Sequence, residues 1–159
     1  MLSLRSDAFR NGDAIPIRYS QEGNNMSPPL EWSDIKNGVK ELALICEDPD
    51  ASGDEPFVHW IMYGIDPQTT SLPEGIKTFG EISKPTHARQ GVNSTGRIGF
   101  SGPLPPPKDD WHHYHFKLFA LDEKLDLSAG VGRDGFYEAI EGHVVDTGET
   151  IGRYKRKKG

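Results

Sequence analysis

Apolar positions along this chain gather into two nearly unbroken runs and one regular alternation, and these three segments frame the rest. Leu42–Cys46 and Phe57–Tyr63 are mostly apolar without alternating, the pattern of central strands covered on both faces. Between them, Glu47 to Pro56 is rich in Asp, Pro, Ser and Gly and reads as a loop of hairpin length or slightly longer. From His112 to Asp122 the side chains alternate. His112, Tyr114, Phe116, Leu118 and Ala120 share one face, and His113, His115, Lys117, Phe119 and Leu121 the other. One histidine therefore leads an otherwise apolar face.

The remaining elements are shorter. Asp134 is placed like an N-cap, with Phe136, Ala139 and Ile140 at helical spacing before Gly142, which predicts a short helix over 134–141 and a last strand from His143 to about Tyr154. Ile15-Pro16-Ile17, the turn Glu22-Gly23-Asn24-Asn25 and the segment Ser27 to Trp32 read as short extended pieces broken by prolines. Eighteen glycines and twelve prolines are spread over all 159 residues, and no repeat or linker interrupts them. The expectation is a single domain over 1–159, mainly β, built as an antiparallel sandwich with few helices.

Composition narrows the setting. No stretch approaches the apolar length that crosses a bilayer, and Met1 to Ser6 lacks the apolar segment of a secretory signal, so a cytoplasmic protein is expected. The one cysteine, Cys46, lies inside a core run, where a buried and inert thiol fits a reducing compartment. A formal net charge of -6 argues against a nucleic-acid partner. The exception is a basic tail over 153–159, with Arg153, Lys155, Arg156, Lys157 and Lys158, read as a solvated, frayed terminus in preference to a contact for acidic surfaces.

The candidate chemistry sits where proline-locked loops meet the strand-like runs. In Asp48-Pro49-Asp50-Ala51 the proline fixes its own φ and extends Asp48, holding two carboxylates in a defined relation; turn capping is the plainer role for either. His59 lies in an apolar run beside Trp60, where a charged imidazolium needs a carboxylate or an anion, and a backbone carbonyl would satisfy a neutral ring. A second rigid loop, Gly99 to Pro107, precedes His112; its glycines permit close backbone approach and its prolines stiffen it. Two imidazoles, a carboxylate and loop amides suit a small anion such as phosphate or a carboxylate. If the two histidines bind it, at least one is protonated, and affinity rises as pH falls toward about 6.

Taken in order, these motifs resemble the phosphatidylethanolamine-binding proteins, in particular their bacterial and archaeal Raf-kinase-inhibitor-like branch. The likeness covers nearly the whole chain: Ser6 and Ala8-Phe9, Ile15-Pro16 with Tyr19, Ser27 to Trp32, both loop motifs, Ala139 to Val144, and Gly152 to Arg156. It implies a large central antiparallel sheet packed on a smaller one, with one or two short helices and an anion pocket at one end. The family's pocket positions carry over to Asp48, Ala51, His59, Gly102, Pro103, Pro105, His112 and Tyr114, with apolar walls from Trp60 and the proline loop. Two departures stand out. Ser52 replaces the usual proline after Asp-Pro-Asp-Ala. Lys108-Asp109-Asp110-Trp111 puts two carboxylates near the mouth, where they oppose an anionic ligand unless they point to solvent.

The favoured reading is a non-enzymatic binding module for a small anion, needing no cofactor, that engages a partner protein such as a kinase or a protease. One alternative is a serine protease inhibitor that inserts the loop Pro103 to Pro107 into a cleft. Another is a hydrolase in which Asp48 orients His59 or His112, for which no nucleophile is evident. A zinc site on His113 and His115 is disfavoured, because no further ligand joins that face. Phe79, Leu104 and Trp111 are candidates for a homodimer contact if exposed.

Overall fold

The structure, a computed structural model, describes residues 1–157; Lys158 and Gly159, the end of the basic tail, lie outside the described residues. The two apolar runs form β3 (Glu41–Asp48) and β4 (Phe57–Ile65), paired antiparallel at the centre of a six-stranded sheet. The alternating run forms β8 (His112–Leu121), which pairs with β3 on its other side and with the outer strand β9 (Val144–Tyr154). Beyond β4 lie β7 (Ala88–Gln90) and β6 (Glu81–Ile82), giving the order β6-β7-β4-β3-β8-β9. A smaller antiparallel sheet contains β1 (Ser3–Arg5), β2 (Leu30–Ser33) and β5 (Ser71–Leu72) in the order β1-β2-β5. The architecture is mostly β, as the hydrophobic pattern implies.

Each face of the large sheet buries its own core. Leu42, Leu44, Cys46, Trp60, Met62, Phe116 and Leu118 pack toward the small sheet with Leu4, Leu30, Trp32 and Leu72. Ala43, Ile45, Ile61, Tyr63 and Leu121 pack on the opposite face with Phe136 and Ile140 of α1 (Arg133–Ile140). Coverage on both faces is why the middle of β3 and most of β4 are apolar, each large side chain contributing roughly 1.5–3 kcal/mol on full burial. Gln90 on β7 is a polar exception satisfied internally. Buried Gln90 accepts from Trp60 Nε1 at 2.7 Å and donates to the Lys77 and Phe79 carbonyls at 2.7 and 2.9 Å.

A register shift near the cavity end of β4 decides which side chains reach the site. Cys46 pairs with Trp60 and Glu47 with Val58, so His59 is the extra residue of a bulge. Consecutive His59 and Trp60 thereby lie on the same side of the sheet, His59 against Tyr114 and Trp60 in the core.

Several local expectations are corrected. Strand β3 continues through Glu47 and Asp48, because both carboxylates find partners beside it. Ile17–Tyr19 is a single 3-10 turn instead of an extended piece. Asp134 lies inside the first turn of α1, and Gly132 holds the N-cap position without a side-chain cap. The basic segment is tied down as far as Lys157. Arg153 stacks 4.3 Å from the Trp111 ring, Arg156 Nε donates to the Pro105 carbonyl at 2.8 Å, and the Lys157 amide donates to Glu22 at 2.8 Å. No described helix is long and apolar enough to cross a membrane.

Candidate functional site

At the end of the large sheet where β3 finishes and β8 begins, a cavity of about 290 Å³ opens. Its walls include Asp48, Ala51, His59, Pro105, His112 and Tyr114, with Gln21, Ser52, Phe57, Leu104 and Pro106 completing them. The strands bring these residues together by register. His112 and Tyr114 lie two apart on one face of β8, and Phe57 and His59 two apart on β4.

Asp48 is the fixed point. Its Oδ1 accepts the Asp50 amide at 2.8 Å, closing the turn that Pro49 presets, and its Oδ2 accepts from His112 Nδ1 at 2.6 Å. Both side chains are buried. Asp48 therefore does the turn capping and the pocket work at once. Asp50 is turned elsewhere: its Oδ2 accepts the backbone N–H of His113 and pairs with His113 Nδ1, both at 2.8 Å, on the far face of β8. His115 Nδ1 meets Glu149 at 3.1 Å, so the two histidines of that face are committed to separate carboxylates.

The two cavity histidines have opposite characters. Burial pushes the His112 imidazolium toward deprotonation, but Asp48 and Asp109 outweigh it, so its pKa is raised above the ordinary value. Asp109 Oδ2 lies 2.8 Å from His112 Nε2, which leaves the ring bracketed by carboxylates on both nitrogens. His59 is governed by burial, which pushes its pKa down to about 4 against weaker opposing effects from Ser101 and Asp48. Its Nδ1 lies 2.7 Å from the Ser101 carbonyl; an oxygen there only accepts, so Nδ1 carries the proton and the neutral ring's Nε2 is an acceptor. The expectation that either histidine could be the cation narrows to His112.

Tyr114 adds the complementary group. Burial and the nearby Asp48 push its phenol pKa far up, so it stays protonated, and its hydroxyl has no hydrogen-bond partner among the described residues. The ring stands edge-on to His59 at 5.0 Å, and Phe57 packs on the other side of His59 at 4.9 Å. The cavity thus presents a donor at Tyr114, an acceptor at His59 and an imidazolium at His112.

Gly102 and Pro103 stand behind the wall. The Gly102 amide donates to Asn25 Oδ1 at 2.6 Å and its carbonyl accepts from Gln21 Nε2 at 3.1 Å. A Cβ there would come within 2.3 Å of the Tyr19 carbonyl, so the glycine serves a close backbone crossing. Pro103 packs in an apolar gap behind His59 and Tyr114. The Ser101 amide donates to the His59 carbonyl at 2.9 Å, so the loop amides at 101 and 102 are spent on the scaffold. Trp60 is also no wall; it sits in the core. Phe57 takes that part, and its spacing of two from His59 is the signal that marks it. Of the two carboxylates expected near the mouth, Asp109 reaches His112 while Asp110 points to solvent, a division that depends on the loop's path.

The sequence profile of the phosphatidylethanolamine-binding proteins matches residues 5–155, and the chain belongs to that family. A UPF0098 protein of Pyrococcus horikoshii is 46% identical over 98% of this chain and 78% of its own length. A phosphatidylethanolamine-binding protein homologue from Chlamydia trachomatis, solved by crystallography, is 39% identical, covers 98% of both chains and superposes with a TM-score of 0.87. Escherichia coli YbcL, described as a member of the mammalian family, is 30% identical over 98% of this chain and 99% of its own, with a TM-score of 0.91.

Proposed function

We propose that this protein is a non-enzymatic binding module whose end cavity takes a small oxyanion, phosphate-like or carboxylate, at His112. One observation carries the reading: the buried imidazole, anchored by Asp48 on Nδ1, already holds a carboxylate on Nε2. Tyr114 adds a hydroxyl donor beside it, and His59 Nε2 accepts from any protonated oxygen the ligand carries. A hydrogen phosphate or its monoester offers both acceptors and a donor, and the family's name supports a phosphorylated headgroup. Through its surface the module engages a partner protein.

The residues favour binding over hydrolysis. Both nitrogens of His112 are bonded to carboxylates, no described hydroxyl or thiol is hydrogen-bonded to either ring, and the Cys46 thiol is buried in the core with its pKa pushed up. Calorimetric titration of the wild type and of His112→Ala with inorganic phosphate, phosphoethanolamine and acetate tests the reading. The wild type binds at least one of these, and the folded variant binds it at least about tenfold more weakly, the 1.4 kcal/mol of one charge-assisted bond. Equal affinity in both proteins would remove His112 from the site.

A further inference from the structure

The loop that carries Asp109 is held in place by contacts that leave its carboxylate on the pocket's imidazolium. The Asp109 amide donates to the Pro106 carbonyl at 3.1 Å, closing a turn, and the preceding Pro105 carbonyl is gripped by Arg156 Nε at 2.8 Å. On the far side Trp111 lies under the Arg153 guanidinium. The segment from Pro105 to Trp111 is thus braced at both ends by the C-terminal strand and the residues after it. Asp109 is partly exposed, with 44% of its side chain accessible, whereas His112 beneath it is buried. Its neighbour Asp110 has 85% of its side chain accessible, accepts the Trp111 amide at 2.8 Å and is approached by Lys155 at 3.8 Å, with no contact to His112.

We propose that Asp109 is an internal ligand that decides what the pocket accepts: any oxyanion that needs His112 Nε2 must first displace this carboxylate. The inference rests on the reading of His112 as the anion site. A tethered carboxylate competes at an effective concentration set by its short loop, so it outweighs dilute monocarboxylates. The apparent affinity of every ligand that uses Nε2 is lowered by the same factor, the fraction of time the loop leaves the ring free. A ligand that reaches only Tyr114 and His59 escapes that penalty. Asp109 therefore shifts selectivity between charged and neutral ligands and sets a threshold that only a strongly held oxyanion, such as a phosphate monoester, passes.

Asp109→Ala and Asp110→Ala remove the same formal charge from the same loop, and only the first removes a partner of His112. In Asp109→Ala the affinities for inorganic phosphate, phosphoethanolamine and acetate rise together, roughly tenfold, while Asp110→Ala changes them by less than about twofold, as expected of a screened surface charge. A readout without ligand accompanies this. The titratable groups that act on His112 are Asp48 and Asp109, bonded to its two nitrogens, with Asp50 and His59 further off; removing one of the two bonded carboxylates lowers its NMR titration midpoint. Equal gains in the two variants, or an unmoved His112 midpoint in Asp109→Ala, overturns the proposal. If the wild type binds and Asp109→Ala binds no better, the competition is refuted and the anion site stands. If the midpoint falls but neither protein binds any of the three anions, the reading of His112 as an anion site fails, and the proposal with it.

Discussion

Glu47 and Asp48 are consecutive buried carboxylates at the end of one strand, and they do opposite things. Glu47 faces α1, where its Oε1 accepts from Tyr137 at 2.7 Å and Lys117 at 3.1 Å, and its Oε2 accepts from Arg133 at 2.9 Å. Burial pushes its pKa up, but those three donors more than offset this and hold it below the ordinary carboxylate value. Arg133 also lies 4.8 Å over the Tyr137 ring, which closes the cluster. Asp48 faces the cavity, where the group next to it, His112, completes its bonds with a carboxylate from a surface loop, and Tyr114 has no partner among the described residues. A cluster that satisfies itself from rigid elements is structure. One that leaves donors and acceptors facing a cavity is prepared for something that comes from outside.

Breaking this contrast tests it, and Glu47→Gln gives the largest expected effect. Leaving Arg133 and Lys117 without their shared carboxylate costs about 3 kcal/mol of stability, read as a lower midpoint of urea unfolding, with anion affinity unchanged. Because the Glu47 pKa is depressed on folding, its stabilisation is present above the unfolded carboxylate value and is lost as pH falls through the folded one. Wild type and variant therefore converge in stability on acidification.

Tyr114→Phe gives the converse and smaller effect. Its hydroxyl has no partner among the described residues, so stability stays within about 0.5 kcal/mol, while affinity for phosphate falls roughly fivefold, one ordinary hydrogen bond. A variant that loses stability and keeps its affinity would place the hydroxyl in the scaffold.

The pH dependence is subtler. The His112 pKa is raised by Asp48 and Asp109 against burial, so its charge is fully present below the unfolded histidine value and is lost as pH rises through the folded one. Oxyanion affinity, measured from pH 5 to 9, is flat at the acid end and declines as pH rises through the folded His112 value, which lies above the ordinary histidine one. His59, held neutral down to about 4, contributes no cation in that range. An affinity that has already fallen away at pH 5 and shows no further step up to pH 9 would assign the charge to His59.

Much of this was legible in the sequence because it is periodic or locked by proline. The runs at 42–46 and 57–63 and the alternation from His112 set three strands, and the coverage of the first two on both faces follows from their absence of polar alternation. Asp48 stood out because Pro49 locks the turn after it, His59 because it is polar in an apolar strand and His112 because it follows a rigid loop, whereas Tyr114 entered through the family resemblance. What the sequence hid is relational. The bulge at His59 that sends Trp60 into the core, the Gly102 crossing over Tyr19 and the reach of Asp109 all depend on how distant segments meet. The basic segment at 153–157 looked like a free tail because its partners, Trp111 and the Pro105 carbonyl, lie more than forty residues away in sequence.

The most direct measurement is a phosphate titration of the wild type followed by NMR resonances of the histidine rings near pH 6.5. The account predicts saturable shifts at His112 Nε2 and at His59, with His112 remaining protonated and His115, on the opposite face of β8, unmoved. Saturable shifts at His113 or His115 with none at His112 would contradict it, because the anion would then sit on the face that the structure keeps for internal ion pairs.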